Sequence, residues 1–400
     1  MNGPLAQLVE RSHGMRKVSG SSPLRSTKLS NQSYMKTKLK IGVIFGGKSA
    51  EHEVSLQSAK NIINSIDKKK YDTVLIGVSK KGEWFLNNNP EYSLNSTDPK
   101  LIKLNTASTN AIAFSPQSAG KITDLNNNKS KNYIDVAFPI LHGPFGEDGT
   151  VQGLLKLLNV PFVGAGVLGS AVGMDKDVMK RLLRDAGIPI AKFLTCKSNT
   201  VPLFKQVAKN LGLPFFVKPA NLGSSVGISK VKKSKDFKLA IDEAFKYDTK
   251  VILEECIIGR ELECSILGND DPIASIPGEV IPHHDFYSYE AKYIDEHGAT
   301  LKIPANLNNK TIKKLQTLGI KTFKVLNCEG MGRVDFFLKK NGEILVNEIN
   351  TIPGFTPISM YPKLWEASGI SSTELIDRLI KLALEKFEKE RDLKSSYSTK

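Results

Sequence analysis

The chain has 400 residues, of which 40% are hydrophobic and 24% charged, an ordinary composition for a globular protein of two or three domains. It has no apolar run long enough to span a bilayer and no apolar signal segment at its start, so neither membrane insertion nor secretion is expected. The formal net charge of +15 is concentrated in residues 1–40, which carry eight Lys and Arg against Glu10 alone. The other basic residues are scattered among acids, which argues against nucleic-acid binding and favours an anionic small substrate.

The four cysteines have neither CxxC nor Cys/His metal spacing; they are Cys196, Cys256, Cys264 and Cys328. Scattered thiols are typical of a reducing, cytosolic compartment rather than of a disulfide framework. We therefore expect a cytoplasmic protein with reduced thiols.

Both ends of the chain differ from the middle. Residues 1–34 are Ser- and Arg-rich and lack periodicity, which is found in transit peptides but here also resembles spurious translation through a transfer-RNA gene. Met35, in "MKTKLKIGVIFGG", is a credible start, so we expect 1–34 to be disordered and exclude it from fold reasoning. Residues 389–400 are expected to be a polar tail.

The pattern after residue 34 predicts an α/β lobe over 35–165. "LKIGVIFGG" is a buried strand ending in glycines, "VSLQSAKNIINSI" has helical spacing, and "DTVLIGVS" and "WFL" predict further strands. The polar, Asn-rich stretch 87–132 is interpreted as an insertion or loop region. "IDVAFPIL" then resumes the sheet and "VQGLLKLLN" predicts a helix. Strands that alternate with helices favour a parallel, doubly wound sheet.

Two further lobes are predicted over 166–262 and 263–388. The second begins with the helix "DKDVMKRLLRDAG", ended by Gly187 and Pro189, and continues through the strand "PFFVKPA", the loop "NLGSSVG", the strand "ISKV" and another helix. The third has more antiparallel signals, with a long helix, the segment "RVDFFLKKNGEILVNEIN" and a terminal helix from 372.

Two stretches of the second lobe have the composition of a nucleotide site. The loop "NLGSSVG" offers backbone N–H groups and hydroxyls for phosphate, although a plain flexible hairpin loop is an equal alternative. Lys218, in the apolar strand before it, is either an edge-strand charge or a phosphate partner. "LEECIIGRELE" places Glu254, Glu255 and Glu261 around an apolar hinge that could meet adenine and ribose; the alternative is a strand, turn and strand with solvated charges.

Two loops of the first lobe are expected at the carboxyl edge of its sheet, where open α/β sheets bind ligands. "GGKSAEHEVSL" follows the first strand and "HGPFGEDGT" follows a later one. Glu51 and His142 could therefore share one pocket. The alternative for His142 is an ordinary loop histidine.

The segment "RVDFFLKKNGEILVNEIN" predicts a hairpin with a two-residue type I′ turn at Asn341 and Gly342. In that register Asp335 faces Glu348 and Arg333 faces Asn350. Val346 then shares the polar face, and Asn347 faces the other way. Opposed carboxylates repel unless a divalent cation lies between them, and hard oxygen ligands suit Mg²⁺ completed by water and phosphate. A slipped register, or an Arg333 salt bridge that neutralises one acid, remains open as an alternative.

Together, seven motifs resemble the D-alanine–D-alanine ligase family of the ATP-grasp superfamily: "GGKSAEHEVSL", "LHGPFGEDGTVQG", "MDKDVMK", "FFVKPANLGSSVGISKV", "FYSYEAKY", "GMGRVDFFL" and "NEINTIPGFTPISMYP". They run in order from about 38 to 385. The resemblance implies a three-lobed ATP-grasp fold, mixed α/β, with an N-terminal parallel α/β lobe and two lobes that sandwich ATP.

The resemblance also implies a bacterial, cytoplasmic enzyme that joins two D-alanines for a peptidoglycan precursor through an acyl phosphate, usually as a homodimer. Its implied ATP contacts are Lys176, Lys218, Ser225, Glu254, Cys256, Ile257, Glu261, Lys292 and Asn347. The implied ligands for Mg²⁺ or Mn²⁺, two ions in all, are Asp335, Glu348 and Asn350.

The remaining implied roles concern the two amino-acid substrates. Glu51 holds the first D-alanine with His142 nearby; Ser224 and Tyr293 complete a network with Glu51; Arg333 and the Gly354 N–H form the oxyanion site; and Ser359 with the Met360 N–H clamps the second D-alanine. A related ligase that uses D-lactate or D-serine as second substrate is the alternative. The "EAKY" sequence around Tyr293 disfavours D-lactate. A dinucleotide-binding or nucleic-acid-binding protein would need GxGxxG or aromatic-basic interleaving, and neither is present.

Overall fold

The computed structural model describes residues 38–87, 92–95, 101–106, 109–283 and 298–394. The described helices are α1 (His52–Ser65), α2 (Thr150–Leu157), α3 (Val167–Met174), α4 (Lys176–Asp185), α5 (Phe204–Leu211), α6 (Ser234–Ala244), α7 (Asn309–Val325), α8 (Met360–Ala367) and α9 (Ser372–Arg391). None of them is long and apolar enough to cross a bilayer.

The strands of the first lobe are β1 (Leu39–Gly46), β2 (Tyr71–Val78), β3 (Trp84–Asn87), β4 (Ser93–Leu94), β5 (Lys103–Leu104), β6 (Asn110–Ala113), β7 (Lys121–Asp124), β8 (Lys129–Tyr133) and β9 (Val136–Pro139). Seven of them form one sheet in the order β8-β7-β6-β3-β2-β1-β9. The pairs β1–β2 and β1–β9 are parallel, as the alternating pattern predicts.

The other part of this sheet differs from the prediction. From β3 onward the strands are antiparallel, and the described parts of the stretch 87–132 form β4 to β8 rather than an insertion without strands. The apolar positions are few there, but Ile112 and Ile122 are buried and pack into the lobe's core. An Asn-rich composition hid these short strands because few side chains on each of them are apolar.

The later strands are β10 (Phe193–Lys197), β11 (Phe215–Pro219), β12 (Ser229–Val231), β13 (Lys250–Glu255), β14 (Arg260–Gly268), β15 (Ile273–Ala274), β16 (Gly278–Pro282), β17 (Ala299–Lys302), β18 (Gly330–Leu338) and β19 (Ile344–Asn350). A four-stranded antiparallel sheet has the order β10-β13-β11-β12. A second antiparallel sheet runs β17-β16-β14-β18-β19, with β15 paired to β14. The loop "NLGSSVG" joins β11 to β12, as predicted.

The terminal helices return to the first lobe. Trp365 of α8 and Leu379 of α9 belong to the same buried cluster as Ile41 of β1 and Phe138 of β9. Burial of apolar surface stabilises the folded protein by about 25 cal/mol per Å². The shared core therefore holds the last two helices against the first strands.

Candidate active site

A cleft opens between the four-stranded antiparallel sheet, here called the central sheet, and the antiparallel sheet that contains β14, β18 and β19, here called the third sheet. Its walls come from β11, the loop 221–227 and the end of β13 on one side, and from β14, β18 and β19 on the other. Many residues singled out from the sequence line it: Lys176, Lys218, Ser224, Ser225, Glu254, Cys256, Ile257, Glu261, Asn347 and Glu348.

A buried ion cluster lies on the wall of this cleft. Lys218 Nζ donates to Glu254 Oε2 at 2.5 Å, and Lys180 of α4 pairs with Oε1 of the same carboxylate. Burial alone would raise the pKa of Glu254, but the two ammonium groups hold it at about 2. Burial alone would lower the pKa of Lys218, and the Glu254 charge raises it instead. Lys218 is therefore a fixed positive charge at the cleft.

Lys176 contacts both the loop 221–227, here called the Gly/Ser loop, and the hairpin of β18 and β19. It begins α4, whose N-cap Asp175 accepts from the Asp177 and Val178 N–H groups. Its Nζ donates to the Leu222 carbonyl at 2.7 Å and lies 3.6 Å from Glu348 Oε2. Lys180 was missed at the sequence level, although it lies four residues after Lys176 in "MDKDVMK", the spacing that places two side chains on one helix face.

The Gly/Ser loop contains two residues in an uncommon conformation. Ser224 and Ser225 have φ of 52° and 60°, which few residues other than glycine adopt. Such strained positions cluster at ligand sites. Ser224 Oγ donates to Glu51 Oε1, so the loop contacts the first lobe directly.

The hairpin has the predicted polar pairs, but its turn and its register differ from the prediction. Arg333 pairs with Asn350 and Asp335 with Glu348, as predicted. The turn is longer than two residues, because Gly342 N donates to Lys339 O and Lys339 N donates to Glu343 O. A β-bulge at Asn347 on β19, opposite Asp335 and Phe336, then shifts the register by one residue and restores those pairs.

The bulge also corrects the predicted faces of the hairpin. Val346 pairs with Phe336 and both are buried in the apolar core, so Val346 does not share the polar face. Asn347 is the extra residue of the bulge and lines the cleft beside Glu348. The predicted two-residue type I′ turn was therefore wrong, and so were the faces assigned to Val346 and Asn347.

A row of three carboxylates crosses the third sheet, with Glu263 opposite Asp335 and Asp335 opposite Glu348. Arg333 neutralises the middle of the row: its Nε and Nη2 donate to the two oxygens of Asp335 at 2.7 and 2.8 Å. Its Nε also lies 2.8 Å from Glu263 Oε2, and Asn350 Nδ2 donates to Asp335 at 3.0 Å. The Arg333 salt bridge that the sequence left open is thus formed, and Glu263 is an addition that sequence reasoning missed.

The first-lobe loops meet at Glu51, as expected from their place at the sheet edge. Glu51 is buried at the N-cap of α1, and His142 and Glu147 are also buried. Burial raises the pKa of Glu147, and the charge of Glu51 adds to the effect. Burial and the Arg333 charge lower the pKa of His142 to about 4, so the imidazole is neutral near pH 7.

The segment after the hairpin brings the remaining predicted residues together. A Cβ built on Gly354 would lie 2.7 Å from Ser359 Oγ, so a larger residue there would displace that hydroxyl. Ser359 Oγ also accepts from Thr356 N at 3.0 Å. Ser359 is the N-cap of α8 and Met360 its first residue, where backbone N–H groups have no partner within the helix.

Two predicted residues, Lys292 and Tyr293, lie outside the described residues. Within the described part of the chain, no group of three or more His, Cys, Asp and Glu side chains could by itself hold a metal ion. The predicted ligand set has only two carboxylates and one amide, so it would need further oxygens from a substrate or water. The four cysteines are free thiols, as expected, and three of them are buried.

Comparisons with known proteins match almost the whole described chain to one family. Residues 40–165 match the family model "D-ala D-ala ligase N-terminus", and residues 182–381 match "D-ala D-ala ligase C-terminus". The D-alanine–D-alanine ligase of Oceanobacillus iheyensis is 53% identical over 363 residues, covering 90% of this chain and 99% of that protein. D-alanine–D-alanine ligase A of Escherichia coli K12 is 50% identical over 361 residues, with the same coverage of both chains.

Solved structures show the same fold. The D-alanine–D-alanine ligase of Coxiella burnetii has a TM-score of 0.78 at 40% identity and covers 88% of this chain and 96% of its own. The VanG D-Ala:D-Ser ligase of Enterococcus faecalis also has a TM-score of 0.78, at 36% identity, covering 87% of this chain and 100% of its own.

A mixed α/β fold with a lysine-lined cleft between two antiparallel sheets defines the protein as an ATP-grasp enzyme. Within that class, the chain belongs to the D-alanine–D-alanine ligase family.

Proposed function

We propose that this enzyme joins two D-alanines to D-alanyl-D-alanine and consumes one ATP, as the names of its relatives indicate. The observation that supports the proposal is the hydrogen bond from Ser224 to Glu51, because it joins the first lobe to a loop that lines the cleft. An amino-acid site on Glu51 would then lie beside the transferred phosphate. The cytoplasm supplies both substrates, and we expect a homodimer there.

The first step joins the carboxylate of the first D-alanine to the γ-phosphoryl group and releases ADP. Glu51 would hold the ammonium group of that D-alanine by charge. Lys176 and Lys218, both at the cleft, would neutralise the phosphate oxygens, which is the main requirement of such a transfer. Glu254 and Glu261, with the backbone of Cys256 and Ile257, would bind the adenosine.

The hairpin has oxygen donors suited to magnesium. Asp335 and Glu348 oppose each other, Asn350 lies one pair further along, and Glu348 and Asn347 face the nucleotide cleft. Bound Mg²⁺ or Mn²⁺ would supply positive charge to the phosphate oxygens. Arg333 and Lys176 pair with the same two carboxylates and offset part of their mutual repulsion.

In the second step the amine of the second D-alanine attacks the acyl phosphate, and the tetrahedral intermediate collapses with loss of phosphate and a proton. Arg333 and the Gly354 N–H would stabilise its oxyanion. Ser359 and the Met360 N–H would bind the carboxylate of the attacking D-alanine.

The deciding experiment is a phosphate-release assay with ATP and Mg²⁺, in which D-alanine alone is compared with L-alanine and with D-alanine plus D-lactate or D-serine. We expect turnover with D-alanine alone, no turnover with L-alanine, and loss of turnover when EDTA is added. No turnover with D-alanine alone, together with turnover in a D-lactate or D-serine mixture, would replace the dipeptide assignment by the alternative ligase.

A further inference from the structure

The backbone on both sides of Gly354 is held by side chains of the first lobe. Asn61 Nδ2 donates to Phe355 O at 2.7 Å, and Phe355 N donates to Ser58 Oγ at 3.1 Å. On the other side, His142 Nδ1 lies 3.0 Å from Ile352 O. The C=O of Ile352 and both backbone polar groups of Phe355 therefore have partners in the first lobe.

Ser58 and His142 form one continuous chain of hydrogen bonds. A carbonyl oxygen only accepts, so His142 Nδ1 carries the ring proton and Nε2 is the acceptor. Ser58 Oγ lies 3.3 Å from Nε2, so its hydroxyl donates to the ring while it accepts from Phe355 N. Ser58 is fully buried, and its hydroxyl both donates and accepts, so alanine in its place would leave both partners without it.

The phenyl ring of Phe355 fixes the same segment by packing. It is 4% exposed and lies edge-on to Phe138 of β9, with ring centroids 6.2 Å apart. Its centroid is also 5.5 Å from that of Tyr361. The segment that carries Gly354 has no secondary structure of its own, so these contacts determine where the Gly354 N–H lies.

One helix carries both ends of this arrangement. Glu51 is the N-cap of α1, and Ser58 and Asn61 follow on its second and third turns. At a rise of 1.5 Å per residue, Ser58 lies about 10 Å along the axis from Glu51. A helix is stiff over this length, so α1 sets the distance between the Glu51 carboxylate and the Gly354 segment.

We propose that Ser58 and Asn61 are positioning residues that hold the Gly354 N–H at the oxyanion, in register with the substrate on Glu51. The proposal rests on the proposed function, because it assigns Gly354 to the second step of that reaction. It separates the two steps: phosphoryl transfer does not need the Gly354 N–H, whereas the attack of the second D-alanine does.

Ser58→Ala tests this with Ser55→Ala as its matched control. Ser55 is equally buried on the same helix, but its hydroxyl bonds Gly46 N and Ile140 O, away from the Gly354 segment. The first step is measured by positional isotope exchange in ATP labelled with ¹⁸O at the β–γ bridge, in the presence of D-alanine. The whole reaction is measured by dipeptide formation, with the full chain in both assays.

We expect Ser58→Ala to lower the kcat of dipeptide formation about tenfold, the effect of one misplaced hydrogen bond, while isotope exchange stays within about twofold of the original enzyme. Ser55→Ala is expected to lower the melting temperature but to leave the ratio of the two rates unchanged. Asn61→Ala, at a half-buried position, should repeat the Ser58→Ala result and serves if Ser58→Ala fails to fold.

An equal fall of both rates, or no fall in either, in two folded variants would overturn the positioning role. An unmodified enzyme that forms no dipeptide from D-alanine would instead refute the proposed function, so the two failures are distinguishable.

Discussion

Arg333 lies between Asp335 and Glu263, two carboxylates that would otherwise repel each other. It bonds both oxygens of Asp335 and lies 2.8 Å from Glu263. If Asp335 bound a metal ion, the contact with Glu263 would still hold the Arg333 guanidinium in place. The Arg333 guanidinium offsets the charge of Glu263, the third acid of the row.

The variant Glu348→Gln tests the metal site, because it replaces one carboxylate oxygen by an amide nitrogen. The amide has nearly the same shape but no negative charge, so we expect kcat/KM for Mg²⁺–ATP to fall by about 100-fold or more, because a bound cation contributes several kcal/mol to such a step. The measurement is phosphate release over a range of Mg²⁺ concentrations, with circular dichroism to check the fold. Glu343→Gln, in the exposed turn of the same hairpin, is the control and should keep its activity. Near-normal activity in Glu348→Gln would remove Glu348 from the metal site.

His142 makes a second residue-scale prediction, for stability against pH. Its pKa in the folded protein is about 4, below the ordinary value of 6.5, so the unfolded chain binds more protons between these values. Stability therefore falls as pH drops from about 6.5 to about 4, by about 3 kcal/mol in all. Denaturant unfolding at several pH values should show a shallower profile for His142→Gln, and an unchanged one for a substitution of the exposed His283. Parallel profiles for the original protein and His142→Gln would contradict the prediction.

At the scale of elements, the hairpin shows what a sequence pattern can and cannot predict. The pairs of Asp335 and Arg333 were predicted from the register of a two-residue turn, and they are correct because the bulge compensates for the longer turn. The turn was wrong because Asn-Gly also occurs in longer loops, with glycine in the left-handed position that closes them. The bulge cannot be deduced from a single strand, because it depends on which residues of two strands meet.

Tertiary contacts account for the other omissions. Lys180 and Glu263 each lie on an element that was predicted, but their partners are on other elements, Glu254 and Arg333. Helix and strand periodicity reports which face is buried, and does not report which charged group lies opposite. The helices and strands of strong periodicity could thus be predicted, whereas the ion pairs between them could not.

Gly342 and Gly153 give a matched test of the turn. Gly342 has φ of +84° and open space around it, so an added methyl group meets only backbone strain. Gly342→Ala should lower the free energy of unfolding by about 1 kcal/mol. Gly153 lies inside α2, also with nothing within 4 Å, and Gly153→Ala should raise the same quantity by about 0.5–1 kcal/mol. Urea unfolding measures both; equal signs for the two variants would refute the conformational explanation.

At the scale of the whole molecule, the last two helices pack against the first lobe. The last helices share a core with the first strands, and a buried carboxylate, Asp377 of α9, lies at their junction. Tyr71 of β2 donates its hydroxyl to Asp377 at 2.8 Å, and Lys70 donates to the same oxygen at 2.9 Å. Lys381, one turn further along α9, lies 2.7 Å from the other oxygen. The segments that form the candidate active site lie in sequence between the first strands and the last helices. The contacts at this junction therefore affect the geometry of the site.

Asp377→Asn tests the junction. Burial alone would raise the pKa of Asp377, but Lys381, Lys70 and Tyr71 lower it to about 2, below its ordinary 3.8. A carboxyl group with a lowered pKa stabilises the folded protein above its unfolded pKa, and that contribution is lost as pH falls from about 4 through 2. At neutral pH we expect Asp377→Asn to unfold about 2 kcal/mol more easily, and the difference between the two proteins should shrink towards zero at pH 2. Asp270→Asn removes an exposed carboxylate that pairs with Lys389 of α9, and it should leave the unfolding free energy almost unchanged. A constant difference from pH 7 to pH 2 would mean that packing, and not charge, makes Asp377 important at the junction.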